Sequence, residues 1–147
     1  MNPRSTDEVT CGPFPAHGRA TFTLDGRILV TDAEGPFNAE LVAALRQPVL
    51  LASEPLRGQG RPWGQLSRFR RSAMASPEAL AAFTRLLTEM RAEGTAPPFT
   101  AYVMTDEVEG ARLMLPLLRR CFEAAGLGFA HFAQEDEARA WLLAQLD

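Results

Sequence analysis

The stretch RATFTLDGRILVTDA, residues 19–33, carries the strongest structural signal in the chain. Apolar and polar side chains alternate from Arg19 to Leu24, which is the period of a half-buried β-strand. Asp25-Gly26 can adopt the positive φ angles of a two-residue hairpin turn. The following segment, Arg27 to Ala33, is more continuously apolar, as expected for a strand nearer the centre of a sheet. The stretch therefore predicts an antiparallel hairpin that belongs to a larger sheet.

Beyond the hairpin, predicted strands and helices alternate. Three further segments are predicted as strands from their composition, WGQLSRF (63–69), FTAYVM (99–104) and GFAHFA (128–133). Helices are predicted between these strands and after the last one. Because such alternation implies right-handed crossovers, we expect a mostly parallel sheet. The predicted fold class is α/β, with a mixed sheet of about five strands, an N-terminal β-hairpin and about four helices.

The segment that follows Asn38 leaves two interpretations open. Asn38 is suited to cap a helix, and Leu41, Leu45 and Val49 recur at helical spacing. Pro48 lies inside this run, where a proline removes a hydrogen bond at a cost of about 3 kcal/mol. We favour a long helix kinked at Pro48, with PVLLAS (48–53) as a short buried strand as the alternative.

The later helices have recognisable ends. Ser76 followed by Pro77 is a favoured helix start, and Gly94 is placed to end that helix. Asp106 with Glu109 three residues later has the spacing of a capping box for a helix that runs toward Ala125. Pro116 should bend this helix, and Gly126 should end it.

Composition restricts the function more than it specifies it. The chain has 147 residues, which suits one domain; we expect a loosely ordered lead-in over 1–18 and a single α/β domain over 19–147. The net charge of −3 does not favour nucleic-acid binding. All basic residues are arginine, so lysine-dependent Schiff-base and P-loop chemistry is excluded. No cofactor is predicted.

The N-terminal residues carry charge and proline where a signal peptide needs an apolar core. No apolar run approaches the ~20 residues that span a bilayer. These features predict a cytoplasmic protein without a membrane span. Cys11 and Cys121 lie far apart and form no CxxC pair, so neither a disulfide framework nor a structural metal site is expected.

Three segments resemble the SpoIIAA-like branch of the STAS-like fold, which is sometimes grouped with SEC14-type lipid-transfer domains. They are DGRILVTDAEGPFNAE (25–40), RPWGQLSRFRRSAMASPEAL (61–80) and FTAYVM to EARAWL (99–142). The resemblance covers roughly residues 19–146. Many members of this branch are small bacterial proteins of undefined role. Better understood STAS relatives are anti-anti-sigma factors, or domains that bind partner proteins and nucleotides.

The resemblance directs attention to Ser76. In STAS relatives an Asp-Ser-Ser-Gly-like stretch before a helix carries a phosphate-accepting serine, and 73–77 holds Ala-Met-Ala-Ser-Pro at that place. The acidic residue and the glycine are missing. As a helix start, Ser76 contributes about 1 kcal/mol relative to alanine. A phosphate there would also be stabilised by free backbone N–H groups. The cap is the favoured interpretation, with Ser76 and, secondarily, Ser72 as candidate phosphate acceptors or anion-binding positions.

Five arginines crowd the region around the predicted third strand: Arg57, Arg61, Arg68, Arg70 and Arg71. Together they could bind a phosphate, a carboxylate or an acidic protein face. The favoured interpretation is that strand alternation separates them and that each is solvated or paired with an acid. The neighbouring GQGRPWG (58–64) lacks the glycine spacing of a dinucleotide loop and is predicted to be a surface connection.

No catalytic constellation is apparent in the sequence. His131, between Ala130 and Phe132, is more typical of a hydrogen-bonded strand residue than of a general base. Cys121 is expected to pack in the core, and His17 lies in the lead-in. The penultimate helix is apolar around much of its circumference, which suggests a pocket, an oligomer contact or burial by its neighbours. The apolar residues of this helix are Leu113, Met114, Leu115, Leu117, Leu118 and Phe122.

These observations lead to three hypotheses. The first is a non-enzymatic regulatory or protein-interaction module, with a homodimer or another protein as partner. The alternative is a carrier for a small apolar or phosphate-bearing ligand. The third is an enzyme that uses His131 or an anion held by arginine.

Overall fold

The computed structural model describes residues 3–9 and 16–147, which form one mixed six-stranded sheet with helices on both faces. Each strand lies beside the next one in the chain; the first two pairings are antiparallel and the remaining three are parallel. The strands are β1 (Arg4–Ser5), β2 (Arg19–Asp25), β3 (Ile28–Glu34), β4 (Gly64–Arg70), β5 (Phe99–Val103) and β6 (Gly128–Phe132). The helices are α1 (Ala39–Ala43), α2 (Arg46–Arg57), α3 (Pro77–Glu93), α4 (Ala111–Ala125) and α5 (Glu135–Leu146).

The predicted hairpin is β2–β3, and its turn is shifted by one residue from the predicted position. Asp25 pairs with Ile28, so the loop residues are Gly26 and Arg27. Gly26 has a φ of 60°, a conformation that favours glycine. On one side β3 pairs with β2, and on the other it runs parallel to β4, which explains its more continuous apolar character.

The predicted lead-in contains structure of its own. A short strand, β1, pairs with β2 and makes the sheet six-stranded rather than five-stranded. A 3-10 helix, Thr6–Glu8, follows β1. The Thr6 side chain is buried, and its Oγ1 accepts a hydrogen bond from the Ala20 backbone N–H over 3.0 Å. Residues 1–2 and 10–15 of the lead-in, Cys11 among them, lie outside the described residues.

The predicted long kinked helix is instead two helices, α1 and α2, and PVLLAS lies within α2, so the strand alternative is wrong. Pro48 occupies the first turn of α2, where a backbone N–H has no intrahelical partner, so the proline is tolerated. The interruption falls at Ala44 and Leu45, before the proline. Asn38 caps α1 as predicted, because its Oδ1 accepts a hydrogen bond from the Leu41 N–H over 2.9 Å.

The ends of α3 agree with prediction and the start of α4 does not. Gly94 ends α3 and Gly126 ends α4, each in the left-handed conformation. The start of α4 lies at Ala111, after Gly110, so the predicted capping box is wrong. Its two acidic side chains have other partners: Asp106 pairs with Arg112 over 2.8 Å, and Glu109 accepts a hydrogen bond from Ser72 over 2.7 Å.

The two sheet faces are covered by different helices. On one face α5 packs against β3, β4 and β5 through a cluster that includes Val30, Leu66, Ala101 and Leu142. The opposite face is covered by α2, α3 and α4 in two further clusters, and α1 packs against α3. Within the described part of the chain, no helix is long and apolar enough to cross a membrane.

Candidate functional site

A cavity that is partly open to the surface lies between the sheet and the helices α1, α2 and α3. Its volume is about 110 Å³. The walls are mostly aromatic and aliphatic side chains, and residues from β2 to β5 form the floor. Prominent wall residues are Phe22, Phe37, Leu41, Phe69, Phe83 and Met90. Internal apolar cavities with a few polar groups are typical places for small-molecule binding.

Small side chains leave this space open. Ala20 on β2 and Ala33 on β3 lie directly opposite each other and both line the cavity. Ala75 and Ala79, at the start of α3, contribute two further short side chains to the wall. Because these side chains are short, the space above the two strand alanines is not filled.

Three hydroxyl groups cross the cavity floor in a row. Thr31, Ser67 and Tyr102 are register partners on β3, β4 and β5 and all line the cavity. Since residues paired across neighbouring strands point to the same face, the row follows from the register. Burial raises the pKa of Tyr102 far above its usual range, so its hydroxyl stays protonated and can donate a hydrogen bond.

The sequence did not point to these residues. Thr31, Ser67 and Tyr102 each occupy an inward position of a predicted strand, where an apolar side chain is the usual choice. Polar side chains at matched inward positions are the signal that could have identified the row. This signal can be recognised only when it is known which strands are neighbours in the sheet.

Ser76 is placed as the N-cap of α3. Its side chain accepts a hydrogen bond from the Ala79 N–H over 3.0 Å, and its own N–H donates to the Phe37 carbonyl over 3.3 Å. This confirms the predicted helix start. Phosphorylation of Ser76 stays a prediction.

Ser72 is buried between two loops at the carboxyl edge of the sheet. Its hydroxyl donates to the Glu109 carboxylate over 2.7 Å and accepts from the Met74 N–H over 3.1 Å. Its carbonyl accepts from the Gly35 N–H over 2.8 Å. Both hydroxyl functions are therefore engaged in joining the loops. Gly35 allows this approach, because a Cβ there would lie 2.5 Å from the Ser72 carbonyl oxygen.

The structure does not gather the five candidate arginines at one place. Arg57 bonds within α2, to the Ser53 hydroxyl over 3.1 Å and the Leu50 carbonyl over 2.8 Å. Arg61 is exposed in the loop before β4, at the amino end of that strand. Arg70 and Arg71 are at the carboxyl end, about 20 Å away at roughly 3.3 Å per strand residue.

Arg68 and Arg70 lie on the sheet face opposite the cavity, and both are paired. Arg68 binds Asp32 through two hydrogen bonds of 2.9 and 3.1 Å, and also contacts Glu135 over 3.2 Å. Arg70 pairs with Glu34 over 3.3 Å. The hydrogen bond to Asp32 is the main cause that raises the pKa of Arg68. For Arg68 and Arg70, these contacts agree with the favoured interpretation in which acids pair with the arginines.

Arg139 extends this ion-pair network along α5. It contacts Glu135 over 2.9 Å and Asp25 over 2.9 Å. The hydrogen bond from Arg139, followed by that from Arg68, lowers the pKa of Glu135. The network therefore connects the hairpin, β4 and α5 on the face away from the cavity.

The remaining titratable candidates have structural contacts. The His131 Nε2 lies 2.8 Å from the Met104 carbonyl oxygen, which joins β6 to the end of β5. Cys121 is buried, and burial raises the pKa of its thiol, which makes it a weak nucleophile. No group of three or more His, Cys, Asp or Glu side chains within 3–9 and 16–147 is placed to hold a metal ion.

The apolar excess of α4 is mostly covered by neighbouring elements. Leu118 and Phe122 are buried, and Leu115 and Leu117 pack partly against the same core cluster. Leu113 is the exception, at 63% exposure. Only Leu118 of this group lines the cavity, so the cavity is built mainly by α1, α2 and α3 rather than by α4.

Comparison with known proteins identifies the architecture. No family model matches the sequence, and no curated protein is significantly similar to it. A crystal structure of an uncharacterised protein of the DUF3478 family from Shewanella loihica PV-4, with a SpoIIAA-like fold, is similar in structure. The TM-score is 0.55 at 16% sequence identity, over 90% of this chain and 98% of that one. The fold predicted from the sequence resemblance is therefore confirmed, and the chain has a SpoIIAA-like, STAS-like α/β fold.

Proposed function

We propose that this protein is a non-enzymatic binding module whose ligand is a small, largely apolar molecule held in the cavity between the sheet and α1, α2 and α3. The cavity is the observation that carries the proposal. At about 110 Å³ it is somewhat smaller than an engineered cavity of about 150 Å³ that binds benzene or xenon.

The composition of the walls supports an apolar ligand. Carbon atoms of aromatic, aliphatic and methionine side chains form most of the surface, and a bound molecule would gain contacts with them. Empty apolar space destabilises a protein by about 24 cal/mol per Å³. A ligand that fills the cavity regains part of that stability, so binding and folding are coupled.

The choice of a non-enzymatic role rests on the groups found near the cavity. Among the described residues that line the cavity, no general base lies beside the Ser67 or Tyr102 hydroxyl, and the Cys121 and His131 side chains contact backbone carbonyl oxygens. A nucleophile needs an adjacent base or a lowered pKa to act at neutral pH. Of the hypotheses drawn from the sequence, these groups favour the carrier, with an apolar molecule as its ligand. The regulatory or protein-interaction role and the homodimer stay predictions.

Titration with benzene and pressurisation with xenon test the proposal. We expect both probes to shift the methyl resonances of cavity residues such as Leu41, Leu87 and Met90, and to raise the unfolding temperature. Methyl groups on the opposite face, such as those of Val30 and Leu142, serve as the internal control. Shifts spread evenly over both faces, or no shifts near saturation of benzene, would contradict an internal binding site.

A further inference from the structure

We propose that the ligand is uncharged and carries one hydrogen-bonding group, a hydroxyl or a carbonyl, held by the side chains of Ser67 and Tyr102. This inference rests on the proposed function, because it assigns the chemical class of the molecule that enters the same cavity. It depends on two observations: which hydroxyl groups of the row have a hydrogen-bond partner in the protein, and whether the described residues that line the cavity are charged.

The polar groups on the floor differ in whether the protein satisfies them. The Thr31 hydroxyl donates to the Gln65 amide oxygen over 3.3 Å, and the Gln65 amide nitrogen donates to the Thr100 hydroxyl over 3.5 Å. These groups already have partners within the sheet. The hydrogen bonds of these side chains are therefore made within the protein, without a ligand.

Ser67 and Tyr102 are in the opposite situation. The two residues are 4% and 3% exposed, and neither hydroxyl has a hydrogen-bond partner among the described residues. Yet no fully enclosed side-chain nitrogen or oxygen in that part of the chain lacks a partner. Each of the two hydroxyls is therefore in contact with accessible space, and both residues line the cavity.

Water can reach both hydroxyls until a ligand fills the cavity. A ligand without a polar group would then leave each hydroxyl buried and unpaired, which is unfavourable, whereas a hydroxyl or carbonyl group on the ligand supplies the hydrogen bond. As register partners on β4 and β5, Ser67 and Tyr102 have their Cα atoms about 5 Å apart. Both side chains therefore project from the same face of the sheet, and the proposal assigns to them one ligand oxygen that enters the cavity between them.

The walls exclude a charged ligand. No Asp, Glu, Lys, Arg or His lies among the described residues that line the cavity. An ionised carboxylate or phosphate would lose its hydration without gaining a counter-charge, which is far more costly than burying a neutral group. The phosphate-bearing ligand included in the carrier hypothesis therefore does not fit this cavity, whereas a neutral alcohol, phenol or ketone does.

The test compares benzene, phenol and benzoate on the wild-type protein and on the double variant S67A/Y102F. The three probes share one ring and differ in polarity and charge. We expect benzene and phenol to bind the wild type, and benzoate to bind at least 10-fold more weakly than phenol. The double variant should weaken phenol binding about 3- to 10-fold, the equivalent of one neutral hydrogen bond, and leave benzene binding within about 2-fold.

A serine outside the cavity provides the matched control. Ser53 is fully buried on α2 and does not line the cavity, so S53A should leave the affinities of both probes unchanged. Equal loss of benzene and phenol binding in S67A/Y102F, unchanged phenol binding, or benzoate binding as tight as phenol would overturn the inference while leaving the proposed function in place. If neither benzene nor phenol binds the wild type, the proposed function fails, and this inference fails with it.

Discussion

Filling the cavity with protein atoms tests the packing argument most directly, and Ala33→Ile is the suitable change. Ala33 is buried in β3, faces the cavity and lies opposite the equally small Ala20. Isoleucine adds three carbon atoms, and its β-branched side chain is favoured in a strand. The substitution should therefore place a larger side chain in empty space without a change of backbone conformation.

The expected gain follows from the cavity volume. At about 110 Å³, the cavity has room for added side-chain atoms beside Ala33. Three added carbons contribute about 2.4 kcal/mol if all are buried, at about 0.8 kcal/mol each. Imperfect fit reduces this, because overpacking is itself destabilising. We expect Ala33→Ile to raise the free energy of unfolding by about 1–2 kcal/mol and the unfolding temperature by about 3–6 °C.

The assay is urea unfolding of wild type and variant, together with the benzene titration. The matched control is Ala101→Ile, the same change at a fully buried strand position on the sheet face packed by α5. That position does not line the cavity, so the control should lose about 1–3 kcal/mol through overpacking. Ala33→Ile should also abolish benzene binding, since the added side chain occupies the same space.

The result that refutes the reasoning is a similar loss of stability in both variants. It would mean that Ala33 faces packed atoms rather than open space. A stabilised Ala33→Ile variant that still binds benzene with wild-type affinity would place the binding site elsewhere. An unchanged urea m-value in both variants verifies that the unfolding transitions are comparable.

Three further predictions concern the framework around the cavity. Ser76→Ala should lower the free energy of unfolding by about 1 kcal/mol and Ser76→Gly by only a few tenths, because glycine is itself an acceptable N-cap; equal losses in urea unfolding would contradict a capping role. Arg68→Ala should lower the free energy of unfolding by about 1 kcal/mol, because it leaves Asp32 without its bidentate partner. The stability of the variant should also depend less on salt concentration than that of the wild type. Equal stability of variant and wild type at low and high salt would show that the pair contributes nothing. The pKa of Glu135 is lowered chiefly by Arg139 and then by Arg68. The stabilisation that ionised Glu135 gives the folded state is therefore fully present above the unfolded carboxyl pKa of about 4.3, and it is lost as the pH falls through the lower pKa of the folded state. The stability difference between wild type and Glu135→Gln should therefore shrink as pH falls below about 4, and a constant difference from pH 7 to pH 3 would argue against the ion pair.

Local signals in the sequence were sufficient for much of the fold. The alternation in β2, the glycine in the turn and the helix ends at Gly94 and Gly126 all depend on residues close together in the chain. Backbone conformation at such positions is restricted by sterics and by nearby hydrogen bonds, so the sequence expresses it directly. The order of strands and helices then restricted the topology to a mostly parallel sheet.

Predictions failed where a distant residue decided the outcome. Glu109 has the spacing of a capping-box residue, yet its carboxylate binds Ser72, 37 positions earlier in the chain. For Arg68 the favoured interpretation, pairing with an acid, agrees with the structure, but its partners Asp32 and Glu135 are 36 and 67 residues away and could not be named from the sequence. A local sequence pattern indicates which kinds of group a side chain can bind, but the fold determines which partner is within reach.

The cavity belongs entirely to the tertiary structure. The sequence determined only which residues of one strand share a face, such as Thr31 with Ala33, because side chains alternate along a strand. Only the strand order and register brought Ser67 beside Tyr102 and Ala33 beside Ala20. Only the positions of α1, α2 and α3 left the space above them open. An unfilled volume is bounded by residues from many parts of the chain at once, so no single segment of the sequence can encode it.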